Sequence, residues 1–170
     1  MNQFQSMGMQ PSPFKGFLVR LLAAILDTVI IVIAVFGAAF TLGIFFGSLL
    51  GEGAGLGIFF LALLLSPLVT LLYKPLMEAS DYQGTLGKHI LNIKVVDKNG
   101  RRISMTKSFI RSIVYLLLIS IPFLNMISWV AFLMIIFSEE KQGLHDIPAE
   151  TYVVSKYWQG PVPLQDKFGV

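Results

Sequence analysis

A chain of 170 residues with 55% hydrophobic and only 14% charged residues, at a mean hydropathy of +0.72, has the composition of a bilayer protein rather than a soluble domain. It holds no cysteine, which removes thiol catalysis, disulfides and thiolate metal sites. The net charge of +3 implies no nucleic acid, because a basic bias in a membrane chain reports orientation.

Residues 1–13 read as a flexible polar leader with no basic residue. The apolar run after it is too long for the core of a signal peptide, so it is expected to be an uncleaved span. From 17 to 46 the only charges are Arg20 and Asp27. A helix needs roughly 20 apolar residues to cross about 30 Å of hydrocarbon, and this one has length to spare. GSLLGEGAGLG at 47–57 reads as a tight glycine-rich connection. A second span follows over 56–73, where Pro67 removes one backbone bond and Ser66 offers a hydroxyl in partial compensation.

The chemistry then changes. Between 74 and 111 stand Lys74, Lys88, Lys94, Lys98, Arg101, Arg102, Lys107 and Arg111, against Glu78, Asp81 and Asp97. Such a short basic loop is expected to stay cytoplasmic, and two spans return the N-terminus to that side. Within it, HILNIKVVDKNGRRIS at 89–104 reads as a small β-hairpin turning at Lys98-Asn99-Gly100. Lys88, Lys94, Lys98, Arg101, Arg102, Lys107 and Arg111 are candidates for contact with anionic headgroups or a partner, at about 1 kcal/mol each near the surface. Ser104 reads as a helix cap.

The third apolar block, 109–137, contains Ile121-Pro122-Phe123-Leu124-Asn125. It is either one bent span or two short helices divided at 122–125. The strand-like stretch Thr151-Tyr152-Val153-Val154-Ser155 favours a tail that returns beside the loop, where it finds a pairing partner. Residues 156–170 read as a surface tail. The expected fold is thus an all-α polytopic transmembrane protein, a helical membrane bundle with a small cytoplasmic β-hairpin, its membrane domain spanning 14–155.

Arg20 and Asp27 lie seven residues apart, almost on one helix face and about 10.5 Å apart along the axis. Arg20 can then snorkel to the headgroups while Asp27 stays in the hydrocarbon. A carboxylate facing lipid costs on the order of 3 kcal/mol. Ala24, Ala34 and Ala38 on the same face, with Gly43-x-x-x-Gly47, let another helix approach and shelter it. Asp27 is either ionised and paired, or neutral with a raised pKa and competent to carry a proton. Thr28 and Asn125 are candidates to supply oxygens near it.

Arg20, Asp27, then Gln83-Gly84-Thr85-Leu86-Gly87-Lys88, Leu91 to Asp97, Asn99-Gly100, Ser104, Arg111 and finally Gly143-Leu144-His145-Asp146 together resemble the RDD family. These are small bacterial and archaeal membrane proteins named for one arginine and two aspartates. The resemblance covers about residues 14–155. Lys141 and Glu150 stand where the family commonly has arginine and glycine. It implies an inner (cell) membrane location and selects Arg20, Asp27 and Asp146 as its polar residues. The family's role is largely unassigned; transport of an unidentified ligand has been suggested, and some relatives have been linked to sodium–proton exchange.

Gly84-Thr85-Leu86-Gly87-Lys88 lacks the spacing of a phosphate loop. His89 and His145 have no partner ligands at metal-binding spacing. No nucleophile–base constellation stands out, so no catalytic residue, metal or cofactor is expected. Two functional readings follow. The first is a non-enzymatic accessory or assembly module, homo-oligomeric or joined to another membrane protein through its polar helix face. The alternative is a small cation or proton transporter, or antiporter component, using Asp27.

Overall fold

The computed structural model describes residues 12–120 and 134–164. Two long helices dominate it, α1 over Phe17–Leu50 and α2 over Glu52–Glu78. Both are long and apolar enough to span a bilayer, and only 6% of the most apolar stretch of each is buried inside the chain. A soluble core helix would bury that surface, so lipid is its natural solvent. At 1.5 Å per residue, the 34 residues of α1 make a helix about 51 Å long, well beyond the roughly 30 Å of hydrocarbon.

The connection is tighter than the glycine content of 47–57 suggests, because only Gly51 leaves the helices, at φ 97°. Its N–H bonds the Gly47 carbonyl at 3.0 Å, and its own carbonyl accepts from Ala54 and Gly55 at 3.1 and 3.2 Å. Intrahelical bonding is compulsory where no water competes, and this outweighs the weak helix propensity of glycine. The glycines serve packing instead. A Cβ on Gly55 would lie 2.5 Å from the Gly43 carbonyl and 2.7 Å from Gly47 Cα, so the two backbones nearly touch. The contact stripe on α1 runs through buried Ala39, while Ala24, Ala34 and Ala38 are exposed; the expected alanine face is corrected by about one residue of rotation, because Ala39, Gly43 and Gly47 follow one four-residue ridge. α2 continues through Pro67 and Pro75. Near the first, the Thr70 hydroxyl donates to the Ser66 carbonyl at 3.4 Å.

A short helix α3, Leu86–Ile90, leads into strand β1, Ile93–Val96. Asp97 Oδ1 accepts from the N–H groups of Asn99 and Arg101 at 2.9 and 2.8 Å, with Gly100 at φ 74°: the expected turn forms. The antiparallel partner of β1 comes from the tail as β2, Tyr152–Ser155, with Val95 opposite Val153. Phe14 bridges Val154 on the other edge. Start of α1, basic loop and tail thereby meet at one end of the helix pair. The sheet has apolar contacts on both faces. Ile93, Val95 and Val153 pack with Ala23 of α1 and Ile103, and Val96, Tyr152 and Val154 pack with Val162, Phe14 and Trp158. Ile103 thus joins this core and lies outside any strand.

Helix α4, Met105–Ser120, begins as its sequence suggests: Ser104 Oγ accepts from the Lys107 N–H at 3.3 Å, satisfying one free donor of the first turn. It docks on α2 through Ser108, whose hydroxyl donates to the Pro75 carbonyl at 3.0 Å. The break at 122–125, with Asn125, lies outside the described residues.

Candidate functional site: a charged cavity at the sheet end

Asp27 is nearly three turns into α1, and its carboxylate meets three donors from this same chain. The Thr85 hydroxyl donates to Oδ2 at 2.5 Å, the Gly87 N–H to Oδ1 at 2.8 Å, and the Tyr73 hydroxyl to Oδ1 at 3.2 Å. Tyr73 in turn accepts from the Leu86 N–H at 2.9 Å, which fixes where its hydroxyl points. Gly87 is required here, since a Cβ would sit 2.2 Å from the Ala23 carbonyl and 3.0 Å from the Asp27 carboxyl carbon. The Gly84–Lys88 motif is therefore a turn and the start of α3 pressed against α1, and its glycine brings a backbone N–H within reach of the Asp27 carboxylate.

A second set of groups alternates in sign. Arg20 Nη1 lies 2.6 Å from Asp146 Oδ2, Asp146 Oδ1 lies 2.7 Å from Arg111 Nη2, and Arg111 Nη1 lies 3.3 Å from Glu78 Oε2. Glu78 also pairs with Lys88. Glu78 and Asp146 are completely buried and Arg111 is 2% exposed. Burial in low dielectric is costly for an unpaired carboxylate, and the alternation sets each of the two between two cations. The Gly143 N–H, 3.1 Å from Asp146 Oδ2, and the Lys15 carbonyl, 2.9 Å from Arg20 Nε, take up further capacity.

These contacts set the protonation states. Burial alone would raise the pKa of Asp146, but the Arg111 guanidinium and then the other neighbouring cations overcome it and hold the carboxyl well below the usual range. His145 is lowered to about 3, mainly by burial; adjacent Asp146 opposes the shift, and Arg111, Lys74 and Arg20 deepen it. Its imidazole is neutral at physiological pH, 3.2 Å from Asp146. Burial also lowers Lys88, against the pull of Glu78.

Arg20 and Asp27 do share a face, as their spacing requires, and with Thr28 both line a cavity of about 240 Å³. Its walls include Tyr73 and Lys74 of α2, Thr85 and Lys88 of the loop, and Arg111 and Tyr115 of α4. Arg20 is not snorkelling: its side chain is 9% exposed and bound to Asp146, because the tail folds back over the start of α1. Lys88 and Arg111, expected at the headgroups, are corrected likewise; both are interior members of the ion-pair chain. Lys98, Arg101 and Arg102 are exposed, and Lys94 and Lys107 are partly so. Arg102 pairs with Asp81 and Lys107 with Glu150 at the surface. Thr28 spends its hydroxyl proton on the Ala24 carbonyl, 2.8 Å away.

Sequence reasoning passes over Glu78, Tyr73, Lys74 and Thr85. Glu78 looks like an ordinary loop acid, and Tyr73 like an interfacial aromatic. The available signal was their register: 74 and 78 are one turn apart on the apolar helix that carries Tyr73, and an acid there needs a cation close by. No group of three metal-binding side chains occurs among the described residues.

The lining of the cavity thus holds two sets of groups. One presents the Asp27 carboxylate among the hydroxyls of Thr28, Thr70, Tyr73 and Thr85, oxygens able to exchange protons or ligate a small cation. The other presents Arg20, Lys74, Lys88 and Arg111.

A family model described as the RDD family matches residues 14–150. Among individual relatives, the uncharacterized protein YxaI of Bacillus subtilis (strain 168) is 42% identical over 94 residues, 55% of this chain and 58% of YxaI. The chain thus spans somewhat over half of that relative's length. The uncharacterized protein YckC of the same organism is 32% identical over 139 residues, 81% of this chain and 82% of YckC. No solved structure matches.

Proposed function

The chain belongs to the RDD family, and from that premise we propose that it is a small ion-transport component of the membrane, taking up a proton or small cation at Asp27. The observation that carries this reading is the Asp27 carboxylate facing a cavity formed inside one chain, with the Thr85 and Tyr73 hydroxyls in direct contact. Rotating either hydroxyl turns a donor into an acceptor and makes room for an incoming proton or cation. Each hydrogen bond exchanged is worth about 1 kcal/mol net, so uptake and release stay reversible. Arg20, Asp146, Arg111 and Glu78 hold the loop-side wall in place, and Gly87 fixes the loop over the acid.

Assembly through the polar face of α1 has less support. Asp27 and Arg20 find their main partners within the chain, and the close glycine contact is between α1 and α2 of the same molecule. In proteoliposomes carrying a pH-sensitive dye, wild type should move protons in response to an imposed cation gradient. Asp27→Asn should reduce that flux at least tenfold while melting like wild type. Equal flux in both, or none in wild type, rejects the proposal.

A further inference from the structure

The cationic part of the cavity carries more positive charge than its own carboxylates take up. Arg20, Lys74, Lys88 and Arg111 all line it, whereas the acids that pair with them among the described residues are Glu78 and Asp146. His145, beside them, is neutral near pH 7. Asp27 is occupied by uncharged donors on the other side.

Three donors are left over. Arg20 Nη2 and Arg111 Nε are buried without a hydrogen-bond partner among the described residues. The Lys74 ammonium rests 3.8 Å from the centroid of the Tyr115 ring and makes no ion pair among the described residues. A buried unmet donor is costly, and more so when it is charged. Two of them, beside an ammonium whose partner among the described residues is an aromatic face, leave this wall electrostatically incomplete. They arrive from three directions, on α1, α2 and α4. A planar carboxylate fits one guanidinium fork, whereas a tetrahedral anion offers oxygens to three separate donors at once. At roughly 30 Å³ per water, 240 Å³ has room for such a group.

We propose that this part of the cavity is a binding site for a phosphate-class oxyanion, free phosphate or the phosphate of an anionic lipid headgroup, held between Arg20 Nη2 and Lys74 Nζ with Arg111 behind. The site lies where the basic loop, the tail and the start of α1 meet, at the end of the helix pair where a headgroup phosphate is in reach. It uses other side chains than ion uptake at Asp27 and goes beyond that reading; binding is measured without flux, so either can fail alone.

The test uses the full chain. In neutral detergent, inorganic phosphate is titrated calorimetrically against a chloride control at equal ionic strength. In parallel, lipid retained by chain extracted from phosphatidylcholine nanodiscs, with or without phosphatidylglycerol, is read by native mass spectrometry. Saturable phosphate binding assigns a free anion, and selective retention of phosphatidylglycerol without phosphate binding assigns the headgroup. In either case Lys74→Gln should weaken binding at least tenfold, and Lys107→Gln, at the surface, should leave it unchanged. Should Lys74→Gln fail to fold, Arg20→Lys replaces it, keeping a cation for Asp146 while deleting Nη2. Wild type that binds neither probe overturns the proposal, as does a folded variant that binds like wild type.

Discussion

Replacing Asp146 with asparagine keeps the shape of the side chain and deletes its charge. The carboxylate is completely buried, with guanidinium nitrogens at 2.6 and 2.7 Å. After the change Arg111 keeps Glu78 at 3.3 Å, while the Arg20 side chain keeps only the Lys15 carbonyl among its described bonds. Removing one partner of a buried pair leaves an uncompensated charge and costs about 3–5 kcal/mol. At about 2–4 °C per kcal/mol for a chain of this size, the melting temperature should fall by at least ~6 °C, read by circular dichroism in neutral detergent. The pH dependence carries an independent signature. The folded pKa of Asp146 is depressed below its ordinary 3.8, so its contribution is fully present above about pH 4 and is lost as pH falls further. The asparagine variant should lack that acid-side loss. Adding Arg20→Gln to Asp146→Asn should recover part of the melting temperature, because the stranded cation is gone too. A single variant melting within about 1 °C of wild type would refute the reasoning, since the charge would then be solvated rather than buried.

Four other outcomes are expected. His145 has a folded value near 3 against an ordinary 6.5, so wild type should lose stability as pH falls from about 6.5 towards 3; a His145→Gln melting curve with the same slope there would contradict its buried, neutral state. Gly55→Ala drives a methyl into the Gly43 and Gly47 backbone and should cost about 1–3 kcal/mol, whereas Gly53→Ala, with open space around it, should be neutral or gain up to about 1 kcal/mol; equal melting of the two variants defeats the close-contact argument. In this cysteine-free chain, Lys94→Cys with Val154→Cys places thiols at paired positions of the sheet and should oxidise to an intramolecular disulfide, seen as a gel shift reversed by reductant. Failure to crosslink, against a crosslinking-competent control pair, means that the tail does not lie on the loop. Gly87→Ala should lower any Asp27-dependent flux along with Asp27→Asn, because its methyl displaces the loop N–H from the carboxylate; full flux would remove that N–H from the proposed mechanism.

The parts legible from sequence are those governed by local rules. The two spans follow from hydropathy and length, the cap of α4 from Ser104 and the turn after β1 from Asp97-Lys98-Asn99-Gly100. Glycine misled at 47–57, because the same residue that loosens a chain in water allows close helix packing in lipid. The basic loop was misread in part for a related reason: counting Lys88 and Arg111 as surface cations assumes that charge seeks water, and here each finds a buried acid. Glu150 shows a local consequence of sequence departure. It holds φ 49°, a conformation glycine adopts freely, where the family resemblance expects glycine.

The sequence by itself determined that this chain lives in a membrane, that its first helix carries an arginine and an acid on one face, and that the loop after the second helix is basic. Those properties depend on composition and on the 3.6-residue period, which are local. Only the tertiary structure decided which charges are interior. Arg20 meets Asp146 across 126 residues, and Asp27 meets Gly87 across 60. No periodicity encodes such distances, because they follow from the tail pairing with the loop strand and closing a low-dielectric space in which Asp146 and Glu78 are each set between two cations.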